Sequence, residues 1–264
     1  MHNMLDIEKF TVAIYSEKNK EPKLWGSGIL IMYKNKYYLV SAYHVLDRED
    51  EQLEIENDPE EVGIPHDDLD TFYAEGCTDT SRPYFVINND FHGIPFTFYF
   101  DEVSQEAIIN DDTEYGYCVL NENSVKCFLE KGKEFYDANN MPELVFKDGD
   151  TLILSGFPKY AQKKNNEIYR SYVGGNILRS NFLEKGLFRV KFNSNEVFCH
   201  QVSQYVSIRK VTRKTIEGMS SGGIWHNQKG NYFPVGLILK EYPELNQVEC
   251  YSLKTILEDI DCQS

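Results

Sequence analysis

The sequence predicts an all-β protein. Tyr and Phe supply 34 of the 264 residues, and aromatic and β-branched side chains favour strands. Apolar runs of strand length recur between Gly, Asn and Asp residues, which mark turns. Helical periodicity is scarce by comparison. Because a chain of this length can bury a large core in one or two domains, we expect a sandwich or barrel built of many short strands.

The predicted elements follow from these runs. In chain order, the clearest strands are 28–33, 37–42, 96–100, 115–120, 151–155, 187–192, 196–202 and 232–239. Helical spacing is confined to 124–133 and 252–260, and the second of these has its apolar residues on one face. The polar stretch 136–143 is the predicted divider, which separates an N-terminal unit, 1–140, from a C-terminal unit, 141–264.

The charge is unevenly distributed. Lys and Arg number 27 and Asp and Glu 42, for a net charge of −15, which argues against nucleic acid or an anionic membrane as the partner. Residues 47–70 hold 12 acidic residues and one basic residue, a net −11. Such a block is ordinarily a solvated insertion; the functional alternative is a rim that attracts a basic substrate or a regulatory protein. It lacks the ligand spacing and central glycine of a calcium loop.

The chain has the features of a cytoplasmic protein. Its first ten residues lack the basic and apolar regions of a secretory signal, and no apolar run approaches the length of a membrane span. Six cysteines are scattered without a Cys-x-x-Cys pair, so we expect free thiols in a reducing compartment. The adjacent Cys199 and His200 would point to opposite faces of a strand. No metal site and no cofactor are predicted.

Three segments together suggest hydrolytic chemistry. The strand-like Tyr38-Leu-Val-Ser-Ala-Tyr-His44 delivers a histidine at its end, and Glu114-Tyr-Gly-Tyr-Cys-Val-Leu opens a strand with an acid. In Glu217-Gly-Met-Ser-Ser-Gly-Gly-Ile-Trp, serines lie between glycines, where a tight turn can expose a nucleophile and aim backbone N–H groups at an oxyanion. His, acid, Ser is one of the chain orders in which a hydrolytic triad occurs.

These segments resemble the trypsin-like serine peptidases, in particular their non-secreted bacterial members. Ser41-Ala-Tyr-His-Val resembles the family's Thr-Ala-Ala-His, and Gly218-Met-Ser-Ser-Gly-Gly-Ile-Trp resembles its Gly-Met-Ser-Gly-Gly-Gly-Val-Trp. Four further matches keep the family's order, and together the matches span residues 26 to 239: Gly26-Ser-Gly-Ile-Leu, Glu114-Tyr-Gly-Tyr, Gly156-Phe-Pro and Pro234-Val-Gly-Leu-Ile-Leu.

The resemblance implies two packed antiparallel six-stranded β-barrels of chymotrypsin-like fold, with the short helix at the C-terminus and the site in the cleft between the barrels. His44 and Glu114 would come from the first barrel and Ser220 from the second. His44 would act as general base and then general acid, Glu114 would orient the imidazole, and Ser220 would attack the substrate. The N–H groups of Gly218 and Ser220 would form the oxyanion hole.

The resemblance also places the substrate. Lys214 lies near the family's pocket floor, where it would favour an acidic side chain at the cleaved position. The strand residues Leu239, Lys240 and Glu241 would pair with the substrate backbone. The expected function is therefore that of a serine endopeptidase, which hydrolyses protein or peptide substrates through an acyl-enzyme intermediate.

Three departures from the family leave alternatives open. Glu114 replaces an aspartate, and Asp112 is a rival acid on the same face of an extended segment. Ser221 replaces a glycine, and Ser220 is preferred as nucleophile because Gly218 then precedes it by two residues. Met219 cannot form the ion pair that activates secreted relatives. The alternative functions are a catalytically impaired member of the fold that binds or regulates proteins, and a β-rich adaptor whose motifs are accidental.

Overall fold

The chain folds mainly into two β-sheets. The computed structural model describes residues 7–18, 21–46, 84–87, 96–99, 104–110, 114–130, 132–141, 150–157, 171–182, 186–192, 198–201, 209–210, 219–245 and 247–263. The predicted predominance of strands, with a short C-terminal helix, is confirmed. Within these ranges no helix combines the length and the apolar character needed to cross a membrane.

The first sheet contains the N-terminal strands. They are β1 (Thr11–Lys18), β2 (Glu21–Tyr33), β3 (Lys36–Ala42), β4 (Tyr84–Ile87), β5 (Phe96–Tyr99), β6 (Ser104–Asn110), β7 (Tyr115–Leu120) and β8 (Tyr136–Asp137). The order is β5-β4-β1-β2-β3-β7-β6 with antiparallel pairing, and β8 pairs with β2 in parallel. β3 therefore lies between β2 and β7; β3 leads into the segment of His44, and β7 follows Glu114.

The second sheet contains the C-terminal strands. They are β9 (Thr151–Gly156), β10 (Ser171–Phe182), β11 (Leu187–Phe192), β12 (Phe198–Gln201), β13 (Arg209–Lys210), β14 (Gly223–Gln228), β15 (Asn231–Tyr242) and β16 (Gln247–Ser252). The order is β11-β16-β15-β14-β9-β10-β12-β13, and β10 also pairs with β11. Eight strands are thus described in each sheet, two more than the six per half that the resemblance implied; in the second sheet the short β12 and β13 extend the edge beyond β10.

Tight turns set the register of two hairpins. Lys34 and Asn35 join β2 to β3 with φ of 47° and 61°, and Lys229 and Gly230 join β14 to β15 with φ of 54° and 84°. Two successive left-handed residues form the turn whose twist matches that of the flanking strands. The first hairpin fixes the pairing of β2 with β3 from Tyr33 and Lys36 onward.

Strands β9, β14 and β15 are buried on both faces. Along β15, Ile238 lies in a core cluster within the second sheet, whereas Leu237 and Leu239 lie in the cluster shared with the first sheet. On β14, Ile224 and Trp225 alternate in the same way, as the two-residue period of a strand requires. The second sheet therefore packs on the first through one face of these strands.

The helices in the described ranges are short. Tyr43–Leu46 forms the single turn α1, Glu122–Glu130 forms α2 and Leu253–Gln263 forms α3, with 3-10 turns at Ile7–Phe10 and Pro243–Leu245. The helix predicted at 124–133 begins earlier because Asn121 Oδ1 accepts the Ser124 N–H at 2.8 Å, which is a helix N-cap interaction.

Helix α3 returns from the second sheet to the first. Its buried residues Leu253, Ile256, Leu257 and Ile260 join the shared core cluster. Tyr115 of β7 donates from its hydroxyl to Asp259 Oδ2 at 2.6 Å, and Tyr117 of the same strand donates to Gln263 Oε1 at 3.0 Å. Burial, followed by the charge of Asp259, raises the pKa of Tyr117 to about 12, so its hydroxyl remains a donor at neutral pH.

Candidate active site

The site lies where the paired strands β2 and β3 separate. Their ladder ends at Ile29 opposite Val40, and its continuation would place Ser27 opposite Ala42. Instead, the Ser27 N–H donates to the Ser220 carbonyl at 2.9 Å, and the Ala42 N–H donates to Ser221 Oγ at 2.7 Å. Residues 219–222, called the serine turn below, thus occupy the opening between the two strand ends.

The strand ends are themselves held by hydroxyl groups. Ser41 Oγ donates to the Ser27 carbonyl at 2.8 Å, and Ser27 Oγ accepts the Phe157 N–H at 3.0 Å. Both serines are fully buried. Since buried polar groups cost free energy unless they are hydrogen-bonded, these contacts fix the separation of β2 and β3 at the opening.

His44 lies just beyond the end of β3 at this opening. It lies in α1, two residues after Ala42, and its side chain is half-buried. Gly26 shows how close this helical turn comes to the serine turn. A Cβ added at Gly26 would lie 2.7 Å from Val45 Cγ2 and 3.1 Å from the Ser220 carbonyl oxygen. Gly26 therefore lies between the side chain of Val45, the residue after the candidate base, and the backbone of the candidate nucleophile.

Glu114 lies on the other side of β3. The Tyr43 N–H donates to the Glu114 carbonyl at 2.9 Å, one residue beyond the pairing of Ala42 with Tyr115. The Glu114 backbone is thus adjacent to the segment that carries His44. The Glu114 side chain is exposed, and its φ of 58° is left-handed, a conformation that is uncommon for residues other than glycine and concentrated at functional sites.

The serine turn is fixed by its backbone. The Ser221 N–H donates to the Ile238 carbonyl at 2.6 Å, and the Gly222 N–H donates to the Met219 carbonyl at 2.7 Å. Met219 is fully buried in the core cluster of the second sheet. Among the described residues, no backbone carbonyl accepts the Ser220 N–H.

The two adjacent serines differ. Ser220 is half-buried, whereas Ser221 is fully buried and has a φ of 67°. Glycine, the residue that the resemblance leads us to expect at this position, adopts a left-handed conformation without strain. Gly222 has no room for a side chain, because an added Cβ would collide with the Ser155 carbonyl. This local geometry agrees with the preference for Ser220 over Ser221 as the accessible hydroxyl.

The predicted substrate strand is the end of β15. β14 begins with Gly223 paired to Leu237, and the serine turn bonds to Ile238. Further along, at Leu239 and Lys240, none of the strands in the described ranges pairs with this edge, whereas the opposite edge pairs with β16. The Leu239 side chain is in the core, so at this residue only the backbone faces the edge.

The side chains beyond Leu239 form a charged group. Lys240 is exposed, with its Nζ 5.7 Å from the centre of the Tyr242 ring, and Glu241 is half-buried. The Arg189 guanidinium lies 4.7 Å from the same ring and is paired with Glu249 at 2.7 Å. These contacts connect the end of β15 to Arg189 of β11.

Several predicted residues lie outside the described ranges. They are the oxyanion residue Gly218, the pocket residue Lys214, the rival acid Asp112 and the whole acidic segment 47–70. The structure therefore describes His44, Glu114, Ser220 and the β15 residues. Tyr43, next to His44, contacts Glu114, and Ala42 contacts Ser221, next to Ser220.

The described residues also include free thiols and a second histidine. In the described part of the chain, no cluster of three or more His, Cys, Asp or Glu residues is arranged to hold a metal ion. Cys118, Cys127, Cys250 and Cys262 are free thiols, and burial raises the pKa of Cys118 and Cys250, which makes both poor nucleophiles. The Nε2 atom of His226 in β14 lies 3.4 Å from Oδ2 of Asp150.

Sequence reasoning missed the supporting residues. Ser27 and Ser41 appear in the resembling motifs without a role, and Ile238 appears only within a strand. Isolated serines in otherwise apolar strands were the available signal, since a buried hydroxyl needs a hydrogen-bond partner.

A scan against models of protein families and a search of curated proteins both found no match.

Proposed function

We propose that this protein is a serine endopeptidase of trypsin-like type. In this proposal Ser220 is the nucleophile, His44 is the general base and then the general acid, and Glu114 orients the imidazole. Residues 1–140 and 141–264 form the two units, and the substrate is a protein or peptide bound in the cleft between them.

The proposed fold has two chymotrypsin-like barrels. Support comes from the pairings of the second sheet, which run β9-β10-β11-β16-β15-β14 and return from β14 to β9. Six antiparallel strands linked in this way have the connectivity of a small closed barrel. In the first sheet, the order β4-β1-β2-β3-β7-β6 supplies six strands for the other barrel.

One observation carries the functional proposal: the serine turn lies between the ends of β2 and β3. The consecutive residues Ala42, Tyr43 and His44 are tied by their first member to the serine turn and by their second to Glu114. Three segments separated by up to 179 residues thus converge on the backbone that carries the histidine. A nucleophile, a base and an orienting acid need this convergence.

The reaction follows from these groups. Ser220 Oγ would attack the scissile carbonyl as His44 takes its proton, and His44 would return that proton to the leaving amine. The N–H groups of Ser220 and Gly218 would stabilise the oxyanion, and one such donor typically contributes about 3–4 kcal/mol. Water would then hydrolyse the acyl-enzyme by the same proton transfers.

The edge of β15 would hold the substrate. A peptide paired with the backbone at Leu239 and Lys240 would extend the sheet by one strand and lead its scissile bond toward Ser220. Lys214 would favour an acidic side chain at the cleaved position. Glu241 would contact the substrate residues next to that position.

Labelling with a biotinylated fluorophosphonate tests the proposal. The reagent forms a bond from phosphorus to an activated serine oxygen and releases fluoride, while His44 accepts the serine proton. We expect wild type to be labelled at completion, Ser220→Ala and His44→Ala to remain unlabelled, and Ser221→Ala to retain the label. Absence of label in folded wild type would contradict a peptidase.

The exposed side chain of Glu114 favours one alternative. A triad acid that contacts water orients the imidazole less firmly, which is the property of an impaired enzyme that binds peptides at the edge of β15. Such a protein would bind peptides but take up no fluorophosphonate. Peptide binding measured by calorimetry on an unlabelled wild type would support it.

We place the protein in the cytoplasm. The four free thiols found among the described residues support this location, because cysteines stay reduced in that compartment. The proposed partners are the protein or peptide substrate and a regulatory protein, with no role for nucleic acid or membrane.

A further inference from the structure

Ser221 connects the two sheets at the site by a side chain that the resembling family lacks. Its hydroxyl oxygen accepts the Ala42 N–H at 2.7 Å, and this contact joins residues 179 apart in sequence. Both atoms are buried, and Ser221 is 0% exposed. A glycine at this position, as in the family, has no side-chain group that could accept the Ala42 N–H.

This hydrogen bond is one of three contacts that surround the candidate nucleophile. On one side Ser220 is held through its carbonyl to Ser27, and on the other Ser221 is held through its side chain to Ala42. The Ser221 N–H fixes the same residue to Ile238. The peptide between Ser220 and Ser221 is therefore restrained by three contacts, of which the Ala42 contact joins it directly to the segment that ends in the histidine.

We propose that Ser221 is a positioning residue: its hydroxyl sets the separation of Ser220 from His44 by holding the serine turn against the strand end that carries the histidine. This inference rests on the proposed peptidase function and extends it. The chain keeps a serine at a left-handed position, with a φ of 67°, where glycine would be unstrained. A functional contribution of the hydroxyl accounts for that choice.

A purely structural role gives a different expectation. Ser221→Gly and Ser221→Ala both remove the hydroxyl, but only glycine relieves the left-handed backbone. Ser221→Gly should therefore be the more stable of the two variants. If Ser221 served stability alone, the two variants would differ in melting temperature and both would react at the wild-type rate at temperatures where they are fully folded.

The experiment measures the kinetics of fluorophosphonate labelling together with thermal unfolding. We expect both variants to show a maximal labelling rate constant lower by about tenfold to a hundredfold, because an active-site displacement of about 1 Å costs on the order of a hundredfold. The reagent concentration for half-maximal rate should stay unchanged, since binding precedes the affected step. The two losses should be equal although the melting temperatures differ.

Ser155→Ala is the matched control. Ser155 is also a fully buried serine, and its hydroxyl oxygen accepts the Trp225 Nε1–H at 2.8 Å and lies 3.1 Å from Thr11 Oγ1. It joins the same two sheets without touching the serine turn through its side chain. We expect this variant to lose stability and to label at the wild-type rate.

Hydrogen exchange of the Ala42 amide gives a second measurement that needs no activity. Exchange should accelerate in both Ser221 variants and remain slow in Ser155→Ala. Wild-type labelling rates in Ser221→Gly and Ser221→Ala, or losses that follow the melting temperatures, would overturn the positioning role while leaving the peptidase proposal intact. A wild type that takes up no label would overturn the peptidase proposal and the positioning role with it.

Discussion

Among the contacts between the sheets in the described part of the chain, two junctions are built from different chemistry. At the serine turn, the contacts are backbone amides and one buried hydroxyl, which join Ser27 and Ala42 to Ser220 and Ser221. At helix α3, apolar side chains pack into the shared core, and tyrosine hydroxyls of the first sheet donate to side chains of the helix.

This difference implies that the serine turn sets the geometry of the site, whereas helix α3 sets the stability of the fold. Each apolar side chain that α3 buries contributes about 1.5–3 kcal/mol, so this junction supplies much of the free energy that holds the sheets together. The serine turn buries little apolar surface, but its short groups allow few alternative arrangements. Changes at α3 should therefore affect unfolding, and changes at the serine turn should affect reactivity.

Gly26→Ala should produce the largest effect on reactivity. The new methyl group would push against Val45 and the Ser220 carbonyl, which would widen the separation of the histidine from the serine. We expect labelling by fluorophosphonate to slow by about a hundredfold. Rates of label uptake under conditions where the variant is fully folded provide the measurement.

Gly28→Ala is the control for this change. A Cβ there would lie 2.6 Å from Leu39 Cδ1 and 3.3 Å from the Val40 carbonyl, so the crowding is similar but points away from the serine turn. This variant should be destabilised by about 1–3 kcal/mol and label normally. Equal losses of labelling rate in Gly26→Ala and Gly28→Ala would contradict the claim that reactivity depends on the geometry at the serine turn.

Tyr115→Phe should affect the other junction. It removes a hydrogen bond of 2.6 Å to Asp259 Oδ2 from a residue that is 1% exposed, and a bond to a charged group contributes about 1.5–3 kcal/mol. Urea denaturation should show a loss of this size, with the labelling rate unchanged. A slower reaction in the folded variant would mean that α3 also positions the site.

Asp261→Asn should have the smallest effect, and one that depends on pH. The hydrogen bond from Lys34 and then that from Tyr33 lower the pKa of Asp261 in the folded protein. A lowered folded pKa contributes stability above the ordinary aspartate pKa of about 3.9. That contribution disappears as the pH falls through the lower folded value.

The stability difference between wild type and Asp261→Asn should therefore be constant near neutral pH and shrink in acid. Salt should also reduce it, because the pair is exposed. Melting temperatures measured from pH 2 to pH 7 test this expectation, and a difference that grows in acid would contradict it.

Local patterns predicted the strands but not the junctions. β7 and β11 have the predicted bounds because their apolar residues are contiguous and their ends are polar or glycine. β2 extends back to Glu21, where Pro and Lys gave no strand signal. Pairing with β1 supplies the missing stabilisation, and such pairing cannot be read from a local window.

The candidate site shows the same limit. The motifs indicated His44, Glu114 and Ser220, but the contact of Ser221 with Ala42 joins distant positions and depends on tertiary packing. The exposure of Glu114 likewise follows from its turn before β7 rather than from its own sequence context.

A crystal structure of the phosphonylated protein is the most direct test of the central claim. We predict phosphorus bonded to Ser220 Oγ, a phosphonyl oxygen accepting the Ser220 N–H, and the His44 imidazole within about 3 Å of Oγ. An adduct on Ser221 or on another residue, or a His44 imidazole more than ~7 Å from Ser220 Oγ, beyond any hydrogen-bond reach, would contradict the account.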